Sequence, residues 1–597
     1  MYAVLAEKPS QAMDYAKVLS NGHFKREQGA FHIEKSPILN NEEVYVTHAV
    51  GHLVGLSSPD YYDEKYKRWS MENLPIMPDE FHYEVLKKTK AQFTLVKKYL
   101  KKADKIVIAS DSAREGEAIG MKIVLLAGVS KKPILRMWAN STTPKELTKA
   151  FKNIFDEKKT WPLFQEAKAR EEIDWLIGMN FTRFYSIKYQ KETGNKEMFN
   201  VGRVQTPTLM KVVEREDEIK NFVPTKYYPI VGKFVDNDQI SLNKDGENKF
   251  NTKQEAVEYL SNNNIVVGKS TSFLIKNVID EVKTEKPKKL YDLGAIQDVA
   301  NKKWKYSLED TLNGIQRLYE RFKVVSYPRT ESQYVGEGEF DQLKTHFDEY
   351  CNILGISETI EHGEPRKEFV NQSKVTDHYA LIPTEKIPSK EEIKDMSEIE
   401  RNIYYEILNH TISIFLKDYK FNKKTIELEK GDLVLKTTVS VTIEEGFKKY
   451  KKSKNNNDED NQRKLDFLKY LEKDQLVDLE ILIDEKETKV PKRYTQATLG
   501  GRDSLMSKYK LGTPATKTGI VQNLVKNGYL KEEKNYLYPK EKAYKLREIL
   551  ADSMVGQVEL TSYMEDSLHD IGASVSDDKY ILDMIKKMIV DTVGKEA

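Results

Sequence analysis

The sequence predicts a multidomain protein of mixed α/β and α+β class, and three observations carry that reading. The chain has 597 residues, too many for a single hydrophobic core. Up to about residue 140, apolar β-type runs that end in charged residues are followed by helical periodicity, the pattern of a largely parallel sheet. Beyond that point, blocks of strand alternation and blocks of helical periodicity succeed one another, which suggests domains built from non-contiguous stretches.

Residues 2–6, YAVLA, read as a buried strand. Glu7 and Lys8 follow at its end, and Pro9 suits the first turn of a helix running to about Leu19. Residues 105–110 read as a second strand, followed by a helix near 115–127. Ligands of such sheets bind beyond the carboxyl ends of the strands, where both Glu7 and Asp111 fall. From about 145 to 215 the pattern is helical and charged, and 227–283 turns to strand alternation. Residues 286–323 are helical again, with a capping box at Ser307 and Asp310 and an apolar stripe of Leu308, Leu312, Ile315, Leu318 and Phe322. Residues 395–420 read as a helix, 424–450 as strands, 451–464 (KKSKNNNDEDNQRK) as a polar surface loop, and the last 130 as mainly helical.

Composition narrows the class. A chain that is 39% hydrophobic and 32% charged, with no run of about 18 apolar residues, fits a soluble protein without a transmembrane helix. The N-terminus lacks the pattern of a secretory signal. The single cysteine, Cys351, excludes an intramolecular disulfide and a cysteine-based zinc ribbon and fits a reducing compartment. Net charge is +2, so no global excess points to nucleic acid. Locally, residues 489–531 carry nine basic residues against one acid, Asp503. That is an electrostatic footprint for a polyphosphate, unless the balancing acids lie elsewhere in the fold.

In IVIASDSAREGEAIG (106–120), Asp111 ends a strand and Glu115 opens a helix, so both carboxylates can approach one point at the sheet edge. Hard oxygen donors there suit Mg²⁺, and Glu7 on the neighbouring strand end could share the site. The same acids could equally complement a helix macrodipole. Ala113 stands where a third regularly spaced carboxylate would fall. In SYPRTES (326–332), Pro328 fixes a loop after Tyr327, and Arg329 shares a face with the phenol in an extended stretch. A guanidinium beside a phenol could bind a phosphodiester bidentately. Taken alone, His378 could be a satisfied core histidine, Arg203 a structural ion-pair member, Gly202 a turn residue and Gln205 a partner for backbone groups. Trp175, at helical spacing with Ile173 and Ile177, reads as core.

Together these stretches carry a resemblance. AEKPS (6–10) with ASDSAREGE (109–117) resembles the Toprim domain of type IA DNA topoisomerases, whose metal triad is Asp-x-Asp-x-Glu followed by Gly-Glu. Asp111 matches the first acid, Ala113 replaces the second and Glu115 matches the third. SYPRTES resembles the family's Tyr-x-Arg-Thr-Asp-Ser, with Glu331 for Asp, and Pro328 is typical of the topoisomerase III branch. THAVGHL (47–53), LPIMP (74–78), AKAREEIDWLIGMNFTR (167–183), VGRVQTPTL (201–209), SKVTDHYALIPT (373–384), LGTPATKTGIVQNLVKNGYL (511–530, with Lys517 for Arg) and TSYMEDSLHDI (561–571) extend the similarity over nearly the whole chain.

The resemblance implies an ATP-independent enzyme that cuts one DNA strand through a 5′-phosphotyrosyl link, passes another strand and religates, relaxing negative supercoils, decatenating DNA, or both. Tyr327 would be the nucleophile. Arg329 and His378 would support the phosphate, Glu7 would act as general acid, and Lys8 would orient phosphate or tune Glu7. Mg²⁺ would sit on Asp111 and Glu115, with Glu7 sharing the site as a further ligand, in one site given Ala113. Arg114, Arg170, Arg183, Gly202, Arg203, Gln205, Thr206, Lys489, Arg493, Thr516 and Lys517 would line a groove for single-stranded DNA. Four domains would form a torus: Toprim, 1–145; a helical groove domain, 146–216 plus 481–597; a β-rich hinge, 217–280 plus 405–480; and the tyrosine domain, 281–404. The partners implied are single-stranded and negatively supercoiled or catenated DNA, with a helicase as a further candidate. No membrane is involved, and a monomer in the bacterial cytoplasm, associated with the nucleoid, is expected. Competing readings are another Toprim enzyme, a primase or nuclease, and a non-catalytic single-stranded-DNA-binding relative.

Overall fold

In the computed structural model, which describes residues 1–139, 144–375, 378–450, 458–551 and 553–594, YAVLA is strand β1 (Tyr2–Ala6), the centre of a seven-stranded sheet of order β2-β3-β4-β1-β7-β8-β9. β1 pairs in parallel with β4 (Val44–His48) and β7 (Lys105–Ala109), and β7 with β8 (Ile134–Arg136). β2 (Lys25–Glu27), β3 (Ala30–Ile33) and β9 (Phe155–Asp156) are antiparallel additions at the two edges. Strand alternation sorts β1 between two cores. Ala3 and Leu5 face helices α3 (Lys90–Lys102) and α4 (Arg114–Ala127), while Val4 and Ala6 face α1 (Pro9–Ser20) and α5 (Pro144–Lys152). A ribbon of β5 (Val54–Leu56) and β6 (Tyr83–Val85), with short α2 (Pro59–Tyr62) between them, leads into α3.

Two glycines let α4 close on the end of β7. A Cβ on Gly116 would meet the Asp111 carbonyl oxygen at 2.1 Å, and one on Gly120 would meet Ile108 Cγ2 at 2.4 Å. The acidic loop is therefore clamped between strand and helix.

The 33-residue α6 (Trp161–Thr193) and α7 (Gln205–Lys220) form a helical body with the C-terminal elements α16 (Gln496–Gly500), α17 (Leu505–Lys508), α18 (Pro514–Lys526), α19 (Glu541–Leu550), α20 (Val558–Gly572) and α21 (Lys579–Gly594). α21 shows why: Ile581, Ile585, Ile589 and Val593, four apart, are all buried in its core. Trp175 is buried there too, with its indole N–H donating to Ser57 O at 3.0 Å. Two-residue strands β10 (Lys226–Tyr227) and β17 (Lys486–Glu487) pair where the chain leaves and re-enters this body. Between them lies a closed six-stranded barrel of β11 (Ile230–Phe234), β12 (Ser241–Lys244), β15 (Leu433–Glu444), β14 (Tyr419–Lys430), β13 (Ser270–Glu285) and β16 (Leu476–Ile483).

A fourth body holds α9 (Leu293–Trp304), α10 (Leu308–Arg317), α11 (Glu337–Thr345), α12 (Phe347–Leu354), α13 (Lys390–Asp395) and α14 (Glu398–Ile412) around one core. The capping box at Ser307 and Asp310 forms, and Leu308, Leu312, Ile315, Leu318 and Phe322 are buried.

Three expectations change. The boundary expected at 405 falls after Leu416, because Ile407, Leu408, Ile412 and Phe415 pack in the tyrosine body, not the barrel. The stretch 227–283 contains a helix, α8 (Lys253–Asn262), opened by a capping box at Thr252 and Glu255. Of the expected loop 451–464, residues 451–457 lie outside the described residues. From Asp458 the chain forms α15 (Asp458–Leu468), whose Leu468 is buried in the barrel core.

Candidate active site

A cavity of about 740 Å³ separates the carboxyl edge of the sheet from the tyrosine body, lined by Glu7, Lys8, Asp111, Ala113, Arg114, Glu115 and His52 on one side and Tyr327, Arg329 and His378 on the other. The tyrosine is fixed by its neighbours. Ser326 Oγ donates to Ala380 O and accepts from Ile382 N, both at 3.0 Å, and Thr330 Oγ1 donates to His378 O at 2.9 Å. The segment 326–330 is thus pinned along 378–382, and the Tyr327 and His378 rings lie with centroids 4.3 Å apart.

Lys8 joins the two bodies. Its ammonium lies 3.2 Å from Asp111 Oδ2 and 3.3 Å from Glu7 Oε1, donates to the Tyr327 hydroxyl at 3.3 Å, and sits 4.5 Å from that ring's centre. Asp111 also accepts from the Gln11 amide, and His378 Nε2 stands 3.6 Å from Asp111 Oδ2. Glu7 Oε2 accepts from Asp111 N at 3.3 Å.

The charges follow from this packing. Burial alone would raise the Asp111 pKa, but His378, Lys8 and Gln11 outweigh it and hold the carboxyl well below its usual range. Glu7 goes the other way: burial and the Asp111 charge raise it, and Lys8 only partly offsets them. Lys8 is raised despite its burial, because Asp111, Glu7 and Tyr327 surround it. Burial raises the Tyr327 phenol, with Lys8 and Arg329 pulling it down and Asp111 pushing it up. One edge therefore sets a Glu7 whose pKa is raised beside an ionised Asp111, a fixed cation and a phenol whose pKa is raised.

Glu117 plays a different part from Glu115. It is buried against Arg136, whose Nε donates to Glu117 Oε2 at 2.7 Å. The same guanidinium donates to Ile108 O at 3.1 Å, Ser110 O at 2.9 Å, Asp111 O at 2.7 Å and Met137 O at 2.6 Å, so the pair holds the backbone beneath Asp111. Glu115 is exposed on the cleft wall and makes no ion pair among the described residues. Ala113 is the N-cap of α4 and offers no capping side chain.

The donors fit a hard divalent cation. Among the described residues no three acidic, histidine or cysteine groups close on one point, so the protein alone builds no cage. Mg²⁺ is commonly held by one or two carboxylates completed by water and phosphate oxygens, and Asp111 with Glu115 on one cleft wall suits that arrangement.

A second cavity of about 600 Å³ continues from the first, sharing Arg114, Glu331, Thr513, Pro514 and His569 with it. Of the residues expected along a groove, Arg114 lines both cavities while donating to Glu166 Oε1 at 2.7 Å, and Lys517 lines the second. The Lys517 ammonium is buried, donates to Ser507 Oγ at 2.6 Å, and is held below its usual pKa by that burial. Thr516 Oγ1 accepts from Thr513 N at 2.9 Å at the start of α18. Other cations are engaged by acids. Arg170 grips Glu565 through two bonds of 2.6 and 2.8 Å. The buried Arg203 bonds Asp174 at 2.7 Å and also Glu565. Arg493 bonds Glu216 at 2.8 and 3.1 Å. Arg183 donates to Tyr66 O at 2.7 Å and lies 5.3 Å from the Trp69 ring centre. Gly202 N donates to Thr206 Oγ1 at 3.0 Å, Thr206 is buried, and the Gln205 amide donates to Asn200 O at 3.4 Å. Lys489 is exposed away from both cavities.

Sequence reasoning missed Gln11, Arg136 and His569. Gln11 lies in the first turn of α1, just beyond the end of β1 where ligands of such sheets bind, and that placement is its one signal. Arg136 carries no local signal, and His569 lies within the TSYMEDSLHDI stretch but only the fold brings it to the cleft.

With this geometry established, relatives can be placed. The Toprim domain family model matches residues 2–142, and the DNA topoisomerase family model matches 158–583. The chain is similar to DNA topoisomerase 3 of Bacillus cereus, 30% identical over 596 residues that span 95% of this chain and 78% of that one. It is similar to DNA topoisomerase 3 of Staphylococcus haemolyticus, 30% identical over 623 residues, spanning 99% and 81%. Its fold is similar to that of full-length topoisomerase I from Thermotoga maritima, with a TM-score of 0.66 at 23% identity, covering 99% of this chain and 90% of that one. The chain belongs to the type IA DNA topoisomerases, on their topoisomerase III-like side, and its N-terminal sheet body is a Toprim domain. The primase, nuclease and non-catalytic readings are not favoured, because the match runs far beyond the Toprim domain. No helix among the described residues is long and apolar enough to cross a membrane.

Proposed function

We propose that this isomerase cuts single-stranded DNA with Tyr327 and relaxes negatively supercoiled DNA, decatenates DNA, or both, without ATP. The observation that carries this is the Lys8 ammonium, held 3.3 Å from the Tyr327 hydroxyl and within 3.3 Å of both Glu7 and Asp111. The phenol attacks a backbone phosphorus, the bond from phosphorus to the 3′-oxygen breaks, and the phenolic proton passes to water in the cleft. Lys8 and exposed Arg329 stabilise the charge that develops on the phenol oxygen and the phosphate. Glu7, which burial keeps protonated to higher pH than an exposed glutamate, gives its proton to the leaving 3′-oxygen and takes it back on religation. His378, beside the phenol, supports the phosphate. Asp111 and Glu115 would hold one Mg²⁺, which supplies positive charge to the adjoining phosphate. The ester energy stays in the 5′-phosphotyrosyl bond, so resealing needs no nucleotide.

The 600 Å³ cavity is read as the continuation of the single-strand path, with Arg114, Thr516 and Lys517 along it. Arg170, Arg183, Gly202, Arg203, Gln205, Thr206 and Arg493 then shape its walls through the bonds described above. The barrel serves as the hinge through which a second strand is admitted. A monomer acting in the bacterial cytoplasm at the nucleoid, with a helicase supplying single strands, suits this chemistry.

Tyr327→Phe tests the reading. The variant is expected to bind a single-stranded oligonucleotide as the wild type does, yet to leave no covalent adduct on a denaturing gel and to relax no plasmid with Mg²⁺. An adduct formed by this variant would sink the assignment of the nucleophile.

A further inference from the structure

Between Lys87 and Lys102 the chain carries seven lysines and no acid, in a protein whose net charge is only +2. Helix α3 sorts them by face. Phe93, Val96, Tyr99 and Leu100 are buried against the sheet, whereas Lys90, Thr94, Lys98 and Lys101 are exposed and Lys97 is half-buried at the edge of the same face. Among the described residues, none of Lys87, Lys88, Lys90, Lys97, Lys98 and Lys101 meets a carboxylate. Their other contacts are to aromatic groups: Lys97 and Lys98 lie 5.9 and 5.1 Å from the Phe93 and Tyr99 ring centres, and Lys102 donates to the Tyr45 hydroxyl at 2.6 Å.

The stripe starts at the catalytic edge of the domain. Thr89 Oγ1 donates to Leu53 O at 3.1 Å and the Gln92 amide to His48 O at 2.6 Å, either side of Gly51 and His52, which line the cleft. From Lys90 the helix carries its lysines about 16 Å away from that edge, at roughly 1.5 Å per residue.

We propose that this face of α3 binds the phosphate backbone of the DNA duplex flanking the single-stranded segment in the cleft. A row of unpaired cations selects a polyanion, and a duplex presents one negative charge per about 1.7 Å of axis, roughly ten over the length of the stripe. A single strand is the poorer match. Its binding relies on stacking bases against exposed aromatic rings, and this face exposes none, because Phe93 and Tyr99 point into the core. The contact would be independent of base sequence and would orient the substrate relative to Tyr327. The inference rests on the chain acting on DNA as proposed above.

The test uses the full chain with Lys90→Gln, Lys97→Gln, Lys98→Gln and Lys101→Gln combined. The probes are a single-stranded oligonucleotide and the same oligonucleotide carrying a duplex arm on its 5′ or its 3′ side. Binding is measured across a salt series. The wild type is expected to show a steeper dependence of log Kobs on log salt with one armed probe than with the bare strand. The variant should lose about three to four of that slope on the armed probe, at about 0.9 per phosphate contact. It should keep the wild-type slope and covalent adduct yield on the bare strand, and the fourfold Lys→Arg variant should restore the armed-probe slope. Identical slopes for variant and wild type on every probe would overturn the proposal and leave the face to an acidic protein partner. An equal loss on the bare strand would overturn it too. A failure of the Tyr327 chemistry would show separately, as wild-type protein that binds these probes but forms no adduct.

Discussion

The helical body and helix α3 both carry dense positive charge, and they dispose it in opposite ways. In the helical body Arg170, Arg203, Arg493, Arg502 and Lys510 each close on a carboxylate, respectively Glu565, Asp174 with Glu565, Glu216, Asp292 and Asp566. On α3 and the turn before it, the lysines from Lys87 to Lys101 close on none among the described residues. The segment 489–531 looks the more basic when charge is counted along the chain, yet five of its nine basic residues, Arg493, Arg502, Lys510, Lys526 and Lys531, are within ion-pair reach of an acid. What a polyanion meets is the charge left over after folding. The paired cations tie the helical body together, and the α3 cations meet no carboxylate among the described residues.

The largest effect that would break this comparison is expected at Arg203. Its side chain is only 3% exposed and sits between Asp174 and Glu565. Breaking a buried pair typically costs about 3–5 kcal/mol, and here the low end applies, because Glu565 keeps Arg170 and the Asp174 side chain is 47% exposed. Arg203→Ala should therefore lower the unfolding free energy of the helical body by about 3 kcal/mol, read from the shift of its denaturant midpoint. A midpoint that does not move would mean that the pairing is incidental and that Arg203 is free to serve DNA.

A smaller effect sharpens the same point through pH. Burial would raise the Glu565 pKa, but Arg170 and Arg203 bring it down to about 2. A carboxyl lower in the folded than in the unfolded chain stabilises fully above the unfolded value, near 4.3, and that stabilisation disappears as pH falls through about 2. The stability of wild type minus that of Glu565→Gln should be constant above about pH 5, at roughly 2–3 kcal/mol, and shrink toward zero at about pH 2. A difference that does not vary with pH would show that the arginines do not hold the carboxylate.

These pairings also mark where the sequence stops being legible. Local patterns sufficed for β1, α1, β7, α4 and the capped α10, because strand alternation, Pro9 and the Ser307–Asp310 box act within a few residues. Asp111, Glu115 and Tyr327 stand out in the sequence because strand ends and a proline-fixed loop are local features too. The Arg136 support beneath Asp111 and the Glu565 grip on two arginines join residues far apart in the chain, 25 positions in the first case and 395 and 362 in the second. No periodicity encodes them. The α8 helix was hidden between strands, and α15 was hidden by a polar composition that suits a loop as well as a solvated helix.

The smallest expected effect lies on α3. Lys97 and Lys101 stand four apart on one helix face and Lys98 and Lys101 three apart, and like charges at those spacings destabilise a helix by about 0.2–0.5 kcal/mol per pair. Lys101 in the last turn partly compensates by facing the negative end of the helix dipole. Neutralising Lys90, Lys97, Lys98 and Lys101 together should thus leave the unfolding free energy, read from the denaturant midpoint, within about 0.5 kcal/mol of wild type, or raise it slightly. A clear loss of stability would mean that these lysines hold the Toprim domain together as Arg203 holds the helical body, and the contrast between the two regions would collapse. An unchanged midpoint means that the fold does not need the stripe and leaves its lysines free to meet a polyanion.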